Sequence, residues 1–132
     1  MSRQFAKEFA TIIPVDRTAS LTKFVRQMIA EMKAANPHVS FDLCHHNPYW
    51  AKRYFAADWE KWHVDRVFIQ NYNEKNFKVE LDYAVNYAGV AITDNQFHRL
   101  KELTDNPKIK GVLIFPLGKP VETAARLPKL LK

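Results

Sequence analysis

Glycine is almost missing from this 132-residue chain: only Gly89, Gly111 and Gly118 occur. Loops that cradle phosphate on bare backbone N–H groups need several glycines close together, and these three are scattered. Cysteine is scarcer still. Cys44 stands alone, which excludes an internal disulfide, a disulfide-stapled secreted scaffold and a Cys-x-x-Cys redox pair. Long apolar runs are absent too, no stretch approaching the roughly 18 consecutive apolar residues that a membrane span needs. The segment Met1 to Glu8 has neither the apolar stretch of a signal peptide nor the Arg/Ser-rich character of a transit peptide. The expectation is a protein held inside a cell or organelle, with no membrane span.

What remains is a chain with 47% hydrophobic and 26% charged residues, enough apolar material for one domain with its own core. Acidic residues are few near the carboxyl terminus. Residues 106–132 hold Lys108, Lys110, Lys119, Arg126, Lys129 and Lys132 against one anion, Glu122, and so carry +5 of the +6 net charge. A basic tail on a near-neutral body points to a polyanion, RNA first; a solvated, solubilising end explains the charge equally well.

The apolar pattern divides the chain into elements. Residues 8–15 read as a short strand broken by Pro14. Leu21, Phe24, Val25, Met28, Ile29 and Met32 lie at helical spacing, with Ser20 or Thr18 as N-cap and Asn36-Pro37 as the stop. Val39, Phe41 and Leu43 alternate with Ser40, Asp42 and Cys44, the period of a strand. Strand, helix and strand form a βαβ unit with parallel strands. After a helical turn over 49–55, residues 61–70 and 76–86 read as two strands of a β-hairpin across the polar loop 71–75. Phe77, Val79, Leu81 and Tyr83 share one face of the second. Thr93-Asp94 caps another helix, Gly111 to Phe115 forms a buried strand, and 121–131 a basic helix shortened or broken at Leu127-Pro128. The expected order is β-α-β, then a β-hairpin and α, with a C-terminal βα extension. This is a thioredoxin-like α/β (α+β) fold over 1–105, with a basic extension over 106–132 packed on it or projecting from it.

Three groups of side chains have chemical potential. Cys44-His45-His46 offers metal-ligating types, but adjacent strand residues point to opposite faces, and structural zinc takes spaced pairs. No metal or other cofactor is expected. Asp65, Glu80 and Asp82, placed on neighbouring hairpin strands, would hold Mg²⁺ for phosphodiester cleavage; the alternative is the charged outer face of an amphipathic strand. Trp50, Trp59 and Trp62 interleave with Lys52 and Arg53. Such sets stack bases or anchor protein interfaces, and about half of the aromatics in this stretch are expected in the core.

The helix over 22–35 ending in Asn36-Pro37, the apolar strand Val39 to Leu43, the Pro48–Tyr54 segment and the basic stretch Glu60–Val67 occur in a telling order. Together they resemble the thioredoxin-like domain shared by mitochondrial ribosomal proteins and a small accessory subunit of respiratory complex I. The resemblance covers about residues 8–67. It implies a non-catalytic structural subunit of a large assembly on the matrix side of the mitochondrion, with no small-molecule substrate. The basic tail directs the expectation to the mitochondrial ribosome, with Lys108, Lys110, Lys119, Arg126, Lys129 and Lys132 on rRNA. Trp50, Lys52, Arg53, Trp59 and Trp62 would then meet neighbouring ribosomal proteins. Two alternatives stay open: an accessory subunit of complex I (NADH dehydrogenase), and a small Mg-dependent nuclease using Asp65, Glu80 and Asp82.

Overall fold

The computed structural model describes residues 17–132; the strand expected over 8–15 lies outside them. Helix α1, Arg17–Ala35, follows the apolar stripe and begins slightly before the expected caps. Val25 and Ile29 at its centre are buried, while Phe24 at the stripe's margin faces solvent. Strand β1, Asp42–His45, starts later than the alternation at Val39 suggested. Helix α2, Pro48–Phe55, is built by local rules: Pro48 occupies its first turn, and Asn47 caps it by accepting the Trp50 backbone N–H at 3.1 Å.

Strand β2, Arg66–Gln70, occupies the second half of the first expected hairpin strand. The other half does not form. Residues 76–86 are not a strand: helix α3 spans Phe77–Tyr87. Phe77, Leu81 and Ala84 sit at i, i+4 and i+7, a helical stripe that coexisted in the sequence with the two-residue alternation. Tertiary burial selects the helix, since Phe77 and Ala84 are buried while Val79 is exposed. Strand β3, Ala88–Thr93, follows at once and had no counterpart among the expected elements. A 3₁₀ segment, Asp94–Arg99, runs into helix α4, Leu100–Thr104. Strand β4, Gly111–Phe115, is as expected. Helix α5, Pro120–Leu130, runs through Pro128 without breaking.

The four strands form one sheet in the order β1-β2-β3-β4, every neighbouring pair parallel. The fold is α/β, with no antiparallel pair among the described strands. Crossovers of one hand that advance in one direction deposit their helices on the same face of a sheet. The register puts Leu43, Val67, Ile69, Val90, Ile92, Val112 and Ile114 on that face. They pack with Val25 and Ile29 of α1, Phe77 and Ala84 of α3, Leu100 and Leu103 of α4, and Leu127 of α5 in a single core. Segment 106–132 therefore supplies a sheet strand and a core helix residue. The opposite face carries Cys44, Phe68, Gln70, Gly89, Ala91, Gly111, Leu113 and Phe115, none of which belongs to the helix-covered core. A Cβ on Gly89 would lie 2.7 Å from the Phe68 ring, and one on Gly111 would lie 3.1 Å from it. The ring therefore crosses both neighbouring strands, and glycine supplies the room.

Candidate functional site

Parallel α/β sheets bind ligands at the carboxyl ends of their strands, where loops rather than helices line the edge. In this chain the polar residues that folding has buried gather there. Asn47 follows β1, Asn71 follows β2, and Thr93, Asp94 and Gln96 close β3; all five are less than 9% exposed. Each is held. Asn47 donates to both Glu80 carboxylate oxygens at 2.9 and 3.1 Å. Asn71 donates to the Phe77 carbonyl at 2.9 Å, and Gln96 donates to the Asn71 carbonyl at 2.9 Å while accepting the Thr93 backbone N–H. Asp94 accepts the Leu117 N–H and the Thr123 hydroxyl at 2.9 Å, tying the end of β3 to α5. The Asn71 Oδ1 has no partner among the described residues.

Between the ends of β1 and β2 lies a cavity of about 230 Å³ whose walls include His46, Trp50, Gln70, Tyr72, Asn76 and Glu80. Glu80 is its carboxyl group. Burial raises the Glu80 pKa, opposed by the Asn47 hydrogen bond and the nearby His46. Tyr72 has its phenol pushed up by burial and by Cys44, whose sulfur lies 3.8 Å from the hydroxyl oxygen. His45 is pushed down by burial and by its neighbour His46. At neutral pH the edge is thus mostly uncharged: amides, a phenol, imidazoles and one carboxyl that resists ionisation.

Helix α2 brings aromatic surface to this edge. Tyr49, Trp50, Tyr54 and Phe55 are all more than 40% exposed. Arg53 donates to the Tyr49 hydroxyl at 3.0 Å and lies over the Tyr49 and Tyr54 rings at 5.9 and 5.8 Å. Phe55 stacks on His46 at 5.2 Å. Of the five residues expected at a protein interface, Trp50 and Arg53 belong to this surface. Lys52 turns to Asp58, 3.5 Å away, which Lys61 also pairs at 2.9 Å. Trp59 and Trp62 correct the expectation: they are 2% and 6% exposed. Their indole N–H groups donate to the His46 carbonyl and the Thr22 hydroxyl, the bonding a buried tryptophan needs.

The three expected metal-binding carboxylates are not brought together. Asp65 precedes β2, pairs with Lys33 at 2.5 Å and accepts the Phe41 N–H. Glu80 and Asp82, two apart on a helix, diverge around its axis, one in the cavity wall and the other exposed. Among the described residues no group of three His, Cys, Asp or Glu side chains is placed to hold a metal ion.

The basic residues of 106–132 divide into two sets. Lys119 pairs with Glu122 at 3.2 Å, and Arg126 lies over the Phe97 ring at 4.6 Å. Lys108 and Lys110 precede β4, and α5 runs back along the sheet so that Leu131 and Lys110 border one cavity. Lys129 and Lys132 thereby return toward the amino end of β4, away from the strand-end cavity. The largest hollow, about 480 Å³, is open and cationic, with Lys23, Arg26 and Lys52 around Thr22 and Asp58. No helix among the described residues is long and apolar enough to cross a membrane.

The chain matches no protein-family model, no curated protein and no solved structure.

Proposed function

We propose that this chain binds a small, uncharged, ring-shaped polyhydroxyl compound, a sugar or close analogue, at the carboxyl ends of β1 and β2, without turning it over. One observation carries the reading: the half-exposed Trp50 ring shares a cavity with Gln70, Tyr72, Asn76 and the weakly ionised Glu80. Amides, phenol and carboxyl supply donors and acceptors for hydroxyl groups, and an indole face suits the C–H side of a saturated ring. Binding without turnover is favoured because glycoside cleavage ordinarily uses two carboxyl groups across the scissile bond, and Glu80 is the one in these walls. This departs from the expectation of no small-molecule ligand. The open cavity suits millimolar affinity, about −4 kcal/mol. Titration calorimetry with neutral mono- and disaccharides tests it: saturable binding lost in Trp50→Ala and Glu80→Ala is expected. Absence of saturation with the whole panel, or binding that both variants keep, contradicts it.

A second reading is favoured by the cations. Lys23, Arg26, Lys108, Lys110, Lys129 and Lys132 enter no ion pair among the described residues. They suit a non-catalytic subunit of the mitochondrial ribosome that lays them on rRNA phosphates; a complex I accessory subunit is its protein-only counterpart. An all-parallel sheet lacks the hairpin of a thioredoxin-like order, so this reading stands on charge and on the resemblance over 8–67. Co-sedimentation with ribosomal particles, abolished by RNase, is its test.

A further inference from the structure

The sheet has two features that an isolated four-stranded unit leaves unexplained. Every described helix that joins the core packs on one face. The other face is mainly apolar and has large residues open at its β4 side, with Leu113 42%, Phe115 54% and the following Leu117 57% exposed. Moreover, β1 and β4 are both edges, and both leave backbone hydrogen-bonding groups without strand partners among the described residues. A strictly sequential parallel sheet with helices on one side has the local architecture of a β/α barrel wall, and such barrels close at eight strands. This chain supplies four.

We infer that two copies of this chain associate edge to edge, β4 of each against β1 of the other, to close an eight-stranded parallel barrel with the uncovered faces turned inward. Strand count and edge chemistry together favour a second copy. The approach to β4 carries Lys108 and Lys110 outside any ion pair among the described residues, and the start of β1 carries Asp42 beside Arg66. Opposite charges therefore mark the amino ends of the two edges that would meet. Inside, Phe68 lies over Gly89 and Gly111, and Tyr72 reaches from Cys44 to Phe115, its ring 6.1 Å from the latter. Large rings beside glycines leave alternating volume for the facing copy, as barrel layers require.

Size separates closure from simple stacking. Four strands about 4.8 Å apart and five residues long, at about 3.3 Å each, present a face of about 300 Å². A stable interface buries about 800 Å² on each partner. Face-to-face stacking alone falls short, whereas closure adds both strand edges and the flanking apolar residues Leu130 and Leu131, 43% and 59% exposed. The strand-end cavity would then open on the mouth of the barrel, with the second copy walling the side that is open in one chain. The inference goes beyond the proposed ligand and does not require it.

Sedimentation equilibrium of the full chain is the test. A mass of twice 15.4 kDa is expected at micromolar concentration, falling to 15.4 kDa in Leu113→Glu/Phe115→Glu and unchanged in Val79→Glu, on exposed α3. Far-UV circular dichroism checks that the variants remain folded. Should the double variant fail to fold, hydrogen exchange on the unmodified protein decides. Closure protects the outward-facing amides of β1 and β4 as strongly as those of β2 and β3, and fast exchange there overturns the inference. A monomer overturns it too, including one whose residues 1–16 prove to cover the face. So does a dimer that Val79→Glu alone disrupts, or a growing series of oligomers, because a closed barrel leaves no free edge.

Discussion

Replacing Gly89 by alanine perturbs the middle of the proposed architecture with one atom. The new Cβ would stand 2.6 Å from the Val67 carbonyl oxygen, 2.7 Å from Phe68 Cδ1 and 3.0 Å from its Cγ. The first contact decides the magnitude. The oxygen belongs to the β2 backbone, which is fixed by pairing with β1 on one side and β3 on the other, so relief requires the strands to separate. Overpacking of this kind costs about 1–3 kcal/mol, and contact with backbone places Gly89→Ala in the upper half of that range. Gly111 and Gly118 are internal controls. A Cβ on Gly111 meets only the Phe68 ring at 3.1 Å, a flexible neighbour, so about 1 kcal/mol or less is expected. Nothing lies within 4 Å of a Cβ on Gly118, and alanine there should be neutral or stabilise by up to about 1 kcal/mol through the unfolded chain. Urea unfolding followed by far-UV circular dichroism gives the three values. The predicted order of stability is Gly118→Ala, then Gly111→Ala, then Gly89→Ala. If Gly89→Ala matched the unmodified protein, β3 would not lie against β2, and the parallel sheet would be refuted.

Three further predictions concern single groups. Trp59→Phe removes the indole donor to the buried His46 carbonyl and should cost about 1–3 kcal/mol before any cavity contribution; denaturant midpoints measure it, and a loss below 0.5 kcal/mol, on the order of experimental scatter, speaks against the placement. Ala56 ends α2 at φ 54°, a conformation glycine adopts freely, so Ala56→Gly should raise stability by about 0.5–1 kcal/mol; a fall would contradict the cap. Because burial raises the folded-state pKa of Glu80, its contribution favours the fold below the unfolded pKa and is lost as pH rises through the folded one. Glu80→Gln, which cannot ionise, should therefore melt higher than the parent at pH 7, with the advantage gone near pH 4; a lower melting point at pH 7 would contradict the assignment.

Local signals made part of this fold legible. The α1 stripe, the Asn36-Pro37 stop, the Thr93 start and the Gly111–Phe115 strand are each decided within a few residues, by periodicity or by backbone chemistry. The region from Phe77 to Thr93 was not. Phe77, Val79, Leu81 and Tyr83 satisfy a strand's alternation, and Phe77, Leu81 and Ala84 satisfy a helix's. What decides between them is the sheet face that the helix covers, which no local window contains. Misreading α3 also concealed β3, and with it the parallel topology. The candidate site was less legible for the same reason. Asn47, Asn71 and Gln96 are ordinary amides until the strand order puts their loops on one edge. Interleaved with cations, Trp59 and Trp62 carry no mark that separates a core tryptophan from an interface one; only Trp50 and Arg53 lie in the exposed aromatic surface. One signal was available. Pro48 after Asn47, and polar residues directly after Ile69 and Ile92, mark strands that end abruptly in side-chain amides or acids.

The central claim, a binding cavity at the carboxyl ends of β1 and β2, is tested most directly by backbone amide chemical shifts on adding a neutral sugar that calorimetry shows to bind. The account predicts changes confined to His46, Trp50, Gln70 to Asn73, Asn76 and Glu80, with Lys108 and Lys110 at the opposite end unmoved. Changes centred on the amino ends of the strands, or on the cationic hollow around Lys23 and Arg26, would contradict it.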